Sequence, residues 1–204
     1  MKQSINCLCG KNISIDIKEE IDLDDDPSSL NNILNGTFMS YDCPECRKKH
    51  KPEFKIKIIW KSKKLLMEVL PELDRGIFYR EKKENKQAET VIGFPEMADR
   101  LAVIKDDMEP VIIETLKSYL LAKAVENYPD KEINVWYNGN GPEGIEFHLD
   151  GIRAGEVAVM RVPWEIYNKT KEDYKKRPKS EPFMSLRVRS YMSIQNILRP
   201  DSLK

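Results

Sequence analysis

Four cysteines, the only ones among the 204 residues, form two close pairs. Cys7 and Cys9 stand in Cys-Leu-Cys-Gly, and Cys43 and Cys46 stand in Cys-Pro-Glu-Cys. Zinc binds four soft ligands in a tetrahedron, and a short turn holds two thiolates on one side of the ion. The two pairs therefore predict one structural zinc ion per chain, with every coordination position filled by protein.

Two other kinds of cysteine chemistry remain open. A Cys-x-x-Cys turn is also a redox or disulfide pattern, although such a site would not require the second pair. An iron–sulfur cluster takes four thiolates as well, usually at more closely linked spacings. The sequence begins without an apolar signal stretch, so we expect a cytoplasmic protein, in a compartment where disulfides are rare.

Basic residues follow the second cysteine pair. The segment 47–64 contains nine Lys or Arg residues and one Glu. Basic side chains beside a zinc ribbon, with an aromatic ring nearby, are compatible with a nucleic-acid patch, which we keep as an alternative hypothesis. Its members would be Arg47, Lys48, Lys49, Lys51 and Trp60. These basic residues are also explained by a strand whose exposed face is solvated. The chain as a whole is neutral, with 34 basic and 34 acidic residues, whereas nucleic-acid-binding proteins are usually basic.

Catalytic motifs are missing from the sequence. It contains no Gly-x-Ser-x-Gly, no phosphate loop, no dinucleotide fingerprint and no His-Glu-x-x-His. His50 lies four residues after Cys46 and is a possible substitute ligand. His148 alternates with Glu146 and Asp150, which a solvated strand face explains. We therefore lean against an enzyme. A catalytic site would have to use residues 146–150 or the acidic group of Asp106, Asp107 and Glu109.

The elements that position the cysteines are strands. Alternating apolar residues predict strands at 4–9 and 12–17 around the first pair, and the strand 38–42 leads into the second pair. A short helix begins at Asp26-Pro27 and ends near Gly36. Further strands are predicted at 54–60, 65–70, 133–137, 145–149 and 157–162. Residues 81–90 are expected to form an exposed loop, and residues 138–142 a hairpin turn.

Helices complete the predicted fold. The pattern predicts one helix within 94–104 and a longer one at 108–127, with Asp106 and Asp107 as caps and Pro110 in its first turn. Its apolar stripe consists of Ile112, Ile113, Leu116, Leu120 and Ala124. A charged helix is expected at 163–176, and a short amphipathic helix is expected near the carboxyl end. The fold class is α+β: a zinc-ribbon-like amino-terminal hairpin on a mixed or antiparallel sheet, with one long central helix.

These motifs resemble the CpXC family of bacterial and archaeal proteins. The resemblance rests on the residues at 7–10 and 34–46, and on the helix that contains Glu114-Thr115-Leu116-Lys117. It covers residues 3–130 and implies a zinc-ribbon-like fold, but no reaction. The sequence departs from the family pattern twice: one residue separates the first two cysteines, and Arg47 stands where glycine is commoner.

Together these observations predict a zinc-stabilised, non-enzymatic protein-interaction or scaffold module. We expect a CpXC-like domain at 1–130 and a strand and helix extension at 131–204 that is continuous with it. A protein partner or a second copy of the chain is expected. No run of 18 apolar residues is present, so no membrane is expected to be involved. A nucleic-acid-binding zinc ribbon is the first alternative, and an enzyme with an unrecognised site is the second.

Overall fold

The cysteine-bearing end of the chain folds into three small β-sheets. The computed structural model describes residues 2–81 and 87–198, and the chain forms two units, Met1–Ala98 and Asp99–Lys204. The first unit contains strands β1 (Lys2–Asn6), β2 (Asn12–Asp16), β3 (Glu20–Asp22), β4 (Tyr41–Asp42), β5 (Lys49–His50), β6 (Ile56–Trp60), β7 (Leu65–Leu70) and β8 (Glu89–Ile92), and helices α1 (Pro27–Leu34) and α2 (Arg75–Arg80).

The strands of the first unit pair in a simple order. β1 and β2 form an antiparallel hairpin, and β4 and β5 form a second, shorter one. The third sheet has the order β3-β6-β7-β8 and is mixed, because β6 and β7 are antiparallel whereas the other two pairs are parallel. In β2, Ile13 and Ile15 are buried between exposed neighbours, which is the alternation that the sequence predicted.

Helix α1 begins where the sequence predicted. Asp26 is the N-cap: its side chain accepts a hydrogen bond from the Ser29 backbone N–H at 3.2 Å and another from the Ser29 hydroxyl at 2.7 Å. Pro27 follows in the first turn, where its missing N–H costs nothing. Gly36 has a φ of 72°, so the chain leaves the helix through a left-handed residue.

Two predictions in the first unit are wrong. The strand expected at 38–42 is reduced to Tyr41–Asp42, because Met39 has a φ of 46° and turns the chain. Part of the exposed loop expected at 81–90 is strand β8, which pairs in parallel with β7 and buries Thr90, Val91 and Ile92. A buried strand this short shows no alternation that could be read from the sequence. Residues 82–86 of the expected loop lie outside the described residues.

The second unit combines helices with an antiparallel sheet. Helix α3 (Phe94–Lys105) contains the division between the units. The remaining elements are helices α4 (Pro110–Asn127), α5 (Trp164–Lys176) and α6 (Gln195–Leu198), and strands β9 (Asn134–Gly141), β10 (Gly144–Asp150), β11 (Ala158–Val162), β12 (Arg187–Val188) and β13 (Tyr191–Met192). The sheet order is β11-β10-β9, and β12 pairs with β13.

The hairpin between β9 and β10 is tighter than predicted. Gly141 pairs with Gly144, so only Pro142 and Glu143 form the turn. Helix α4 packs its apolar residues into the core of this unit, where Ile112, Ile113 and Leu116 are almost completely buried. No helix among residues 2–81 and 87–198 is long and apolar enough to cross a membrane.

The predicted caps of α4 are wrong. The N-cap is Glu109, whose side chain makes no capping hydrogen bond, and Pro110 is the first helical residue. Asp106 accepts a hydrogen bond from the Tyr137 hydroxyl at 2.8 Å instead. The fold class α+β is confirmed. The expectation of a 1–130 domain continuous with 131–204 stays a prediction.

Candidate metal centre

Two tight turns present the cysteines. In the first turn the Cys7 backbone N–H donates to the carbonyl of Lys11 at 2.8 Å, and the Gly10 N–H donates to the carbonyl of Cys7 at 2.9 Å. Gly10 has a φ of 90°, a conformation that side chains with a Cβ rarely adopt. The glycine that follows the first pair is therefore required by the backbone of this turn.

The second turn lies between β4 and β5. The Cys43 N–H donates to the carbonyl of Lys48, and the Arg47 N–H donates to the carbonyl of Cys43, both at 2.9 Å. Arg47 has a φ of 58°. A left-handed conformation costs a residue with a side chain roughly 1–2 kcal/mol. Arginine thus occupies the left-handed position that explains why glycine is commoner there.

The four sulfur atoms converge. All four lie within 4.8 Å of one another, with Cys7 and Cys46 at 3.5 Å and Cys9 and Cys43 at 3.6 Å. A disulfide bond would require about 2.0 Å, so the thiols are free. A tetrahedron with zinc–sulfur bonds of about 2.3 Å has edges of about 3.8 Å. The donor set therefore fits a single metal ion.

The two cysteines of each pair differ in exposure. Cys7 and Cys43 are buried, at 4% and 1% exposure, whereas Cys9 and Cys46 are exposed. Each turn consequently contributes one inner and one outer thiol. The ion would lie at the protein surface, with its inner half covered by the fold.

Backbone amides already favour a thiolate at one inner position. A hydrogen bond from the Cys46 backbone lowers the pKa of the Cys43 thiol to about 7, with a further contribution from the Glu45 backbone. At Cys9 the hydrogen bond from the Lys11 backbone lowers the pKa, but the neighbouring thiol of Cys7 and desolvation outweigh it and raise the pKa to about 12. Four thiols this close cannot all ionise without a cation between them.

His50 contacts the cluster from outside. Its Nε2 lies 3.2 Å from the sulfur of Cys7. The ligand atoms that all lie within 4.8 Å of one another belong to the four cysteines, and His50 is not in this group. The sequence indicates His50 only as a possible substitute ligand. Its position four residues after Cys46 indicates that the imidazole lies near the cysteines. The position does not indicate that the imidazole contacts the Cys7 sulfur from outside the group of ligands.

The residues of the predicted nucleic-acid patch are scattered in their environments. Arg47 and Lys48 are exposed beside the second turn, and Lys51 donates to the carbonyl of Gly36 at 2.6 Å. Lys49 lies 3.8 Å from Asp42, its cross-strand neighbour. Trp60 is buried, at 8% exposure, so its ring is not available for stacking on a base. The hypothesis therefore rests on the exposed basic side chains alone.

The groups considered for acid–base chemistry do not converge. His148 lies 3.7 Å from Glu146, which also accepts hydrogen bonds from Asn138 and Arg161. The hydrogen bond from Asn138 has the largest effect on the pKa of Glu146 and lowers it, and the hydrogen bond from Arg161 lowers it further. Asp150 accepts from the Trp136 indole instead.

The acidic group that precedes α4 is also dispersed. Asp106 accepts from Tyr137, whereas Glu109 pairs with Lys171 at 2.5 Å. Each of these carboxylates is therefore used by a different neighbour, as in an ordinary polar surface.

Comparison with known proteins identifies the chain. The family model described as "CpXC protein" matches residues 5–117, which is more than half of the chain. The chain belongs to the CpXC family. The family match includes both cysteine pairs and ends at Lys117 within α4.

One curated relative of this CpXC protein extends the likeness further. It is described as an uncharacterized protein of Treponema pallidum (strain Nichols), and it is 28% identical over 214 residues. The alignment covers 95% of this chain and 97% of the relative, so both units are included. No solved structure matches the chain.

Proposed function

We propose that this CpXC protein binds one structural zinc ion at Cys7, Cys9, Cys43 and Cys46, and that it is a cytoplasmic, non-enzymatic protein-interaction module. The observation that carries the proposal is the convergence of four free thiols within 4.8 Å. Zinc accepts four thiolates in a tetrahedron and has no redox chemistry of its own. Thiols in this arrangement would stay reduced in the cytoplasm, where disulfides are rare.

The proposed ion has a folding role. Four protein ligands leave no position for water or substrate, which is the property of a structural zinc site. When bound, zinc supplies folding free energy by cross-linking two turns that are far apart in the sequence. The protein's own part is to hold both turns by backbone hydrogen bonds, Cys7 to Lys11 in one and Cys43 to Lys48 in the other.

The first turn also supports the interaction role. Leu8 lies between two proposed ligands and is 86% exposed. A large apolar side chain on a loop that is fixed at both neighbouring positions is an anchor that a partner's apolar pocket can bind with little entropy loss. We propose that the partner is a different protein. Binding of a second copy of this chain is the alternative that the experiment below can detect.

Metal analysis tests the zinc proposal. Native mass spectrometry of protein drawn gently from its own cells should show one zinc ion per chain. A variant with Cys7→Ser and Cys43→Ser, which removes both inner ligands, should carry none. Protein that holds no metal after gentle handling, or that holds iron, would overturn the proposal of zinc.

A matched pair of leucines tests the interaction proposal. Leu73 is even more exposed than Leu8, at 93%, and it lies in the same unit but is not part of either cysteine turn. Leu8→Asp should lose a partner protein that co-purifies with the wild-type chain, whereas Leu73→Asp should retain it. Equal recovery of the partner with both variants would show that Leu8 is not the anchor.

Nucleic-acid binding is a second candidate because Arg47 and Lys48 are exposed next to the second turn. Binding through phosphate contacts weakens steeply as salt concentration rises. Arg47→Ala with Lys48→Ala should then reduce the dependence of affinity on salt. Binding that is absent at low salt would remove this candidate.

A further inference from the structure

We propose that His50 is a positioning residue of the metal centre: its Nε2–H donates a hydrogen bond to the Cys7 thiolate and so raises the affinity for the ion. This inference rests on the proposed metal site. It starts from the 3.2 Å separation between Nε2 and the Cys7 sulfur. His50 belongs to β5, which follows the second cysteine turn, whereas Cys7 belongs to the first. The contact therefore joins the two halves of the site.

The direction of the hydrogen bond follows from the chemistry of sulfur. A metal-bound cysteine is a thiolate without a proton and acts only as an acceptor. The imidazole must consequently carry the hydrogen on Nε2. The neutral tautomer with a protonated Nε2 satisfies this requirement, so no imidazolium is needed.

A role as donor suits His50 better than a role as ligand. The four thiols complete a tetrahedral set on their own. Backbone hydrogen bonds reach the sulfurs of Cys9 from Lys11, of Cys46 from Lys48, and of Cys43 from both Cys46 and Glu45. Cys7 is buried, and the imidazole gives this sulfur a donor from a side chain.

Such a donor affects metal binding in two ways. A divalent ion with four thiolates has a net charge of about −2. Hydrogen bonds to the sulfurs lower the free energy required to hold this negative charge in the protein. The contact also holds Cys7 near the second turn before the ion arrives. Loss of a hydrogen-bond partner of a metal ligand typically weakens metal binding by about 10–100-fold.

A second link between the turns provides a matched control. Lys11 of the first turn and Glu45 of the second form an exposed salt bridge at 2.9 Å that involves no sulfur. Exposed salt bridges of this kind contribute little to the stability of the folded protein. Lys11→Gln removes this link, His50→Ala removes the imidazole link, and His50→Gln restores an N–H donor of similar reach.

The experiment measures metal affinity by competition with a chromophoric chelator and records the spectrum of the cobalt-substituted protein. We expect His50→Ala to bind zinc about 10–100-fold more weakly, and His50→Gln and Lys11→Gln to stay within a few-fold of wild type. The sulfur-to-cobalt charge-transfer band should move to lower energy in His50→Ala, because the Cys7 thiolate loses its donor. Its intensity should keep the value for four thiolates.

The outcomes separate this inference from the proposed function. Unchanged affinity and spectrum in His50→Ala would overturn it, and so would a wild-type band of three-thiolate intensity that rises in the variant, since His50 would then be a ligand. An equal loss in Lys11→Gln would assign the effect to tethering without the sulfur hydrogen bond. A wild-type protein that binds no metal would instead overturn the proposed metal site itself.

Discussion

At the scale of the residue, the cysteines differ in the protons that they hold. The pKa of Cys9 is raised to about 12, although the hydrogen bond from the Lys11 backbone lowers it, because the Cys7 thiol and desolvation outweigh that bond. The pKa of Cys46 is also raised, against the lowering effect of the Lys48 backbone, by Cys7 and desolvation. Metal binding requires thiolates, so these protons must leave when an ion binds.

The affinity for zinc should therefore rise with pH. Cys9 remains protonated up to a pH near its pKa of about 12, so its proton is released on binding throughout the neutral range. Each released proton makes the affinity rise about tenfold per pH unit between about pH 6.5 and 8.5.

Cys9→Ser tests this account. We expect the variant to bind zinc more weakly and to show a smaller pH slope, by about one proton, in chelator competition. His148→Ala is the control, because this histidine lies in the other unit. The zinc affinity of this variant should depend on pH as steeply as that of the wild-type protein. A slope unchanged by Cys9→Ser would show that Cys9 is not a ligand.

At the scale of the element, helix α4 carries charges that its apolar stripe did not reveal. Glu114 and Lys117 are buried in the second unit, with Asp99 and Arg100 of α3. Lys117 donates to Asp99 and, at 2.9 Å, to Glu114. Desolvation acts to lower the pKa of Lys117, but the two carboxylates raise it, so the ammonium stays charged. Desolvation raises the pKa of Asp99 against the effect of Lys117, whereas for Glu114 desolvation is outweighed by Lys117 and Arg100, which lower its pKa.

This charged cluster holds backbone from other parts of the same unit. Glu114 accepts the Ile194 N–H at 2.8 Å, and Arg100 donates to the carbonyl of Met192 at 2.6 Å. Asp99 accepts the N–H of Tyr137, at the centre of β9, at 2.7 Å. The four charges thus fix where α3, α4, β9 and the segment after β13 meet.

Lys117→Met should destabilise the protein strongly. The substitution leaves two buried carboxylates facing one arginine, and removal of one partner from a buried ion pair costs about 3–5 kcal/mol of unfolding free energy. Urea denaturation measures the change. Lys123→Met on an exposed part of the same helix should cost less than about 0.5 kcal/mol. If the two variants were equally stable, the charged cluster would not support the fold.

At the scale of the whole molecule, the proposed metal site belongs to one of the two units. The four thiols all belong to the first unit, whereas the second unit has its own core around α4 and the sheet β9–β11. Removal of an ion leaves the thiols crowded, and the free energy of metal binding is lost from the folding of the first unit. Chelation should therefore act locally.

Hydrogen exchange of the full chain tests this expectation. After chelation, the amides of Cys7, Gly10, Cys43 and Arg47, which bond within the two turns, should exchange faster. The amides of the β10 strand should exchange at the same rate as before, and they serve as the internal control. Acceleration throughout both units would mean that the ion stabilises the molecule as one cooperative structure.

Features that depend on local spacing can be predicted from the amino-acid sequence alone. Two pairs of cysteines predicted the cluster of thiols, because a turn of three or four residues brings both sulfurs to one side. Helices α1 and α4 and strands β2 and β10 follow from apolar periodicity and from Asp26, Pro27 and Pro110, and helix α5 follows from the charged stretch 163–176. The family was recognised from the same cysteine motifs.

Features that depend on contacts between distant residues become visible in the folded chain. Strand β8 exists because β7 lies beside it, and Trp60 is buried by the sheet rather than exposed on a basic surface. In the sequence, Glu114 and Lys117 are simply polar positions of a helix. Their spacing does not show that they contact Asp99 and Arg100 in the core. The contact from His50 to Cys7 spans the two cysteine turns. Such pairings are set by packing, which a local pattern does not encode.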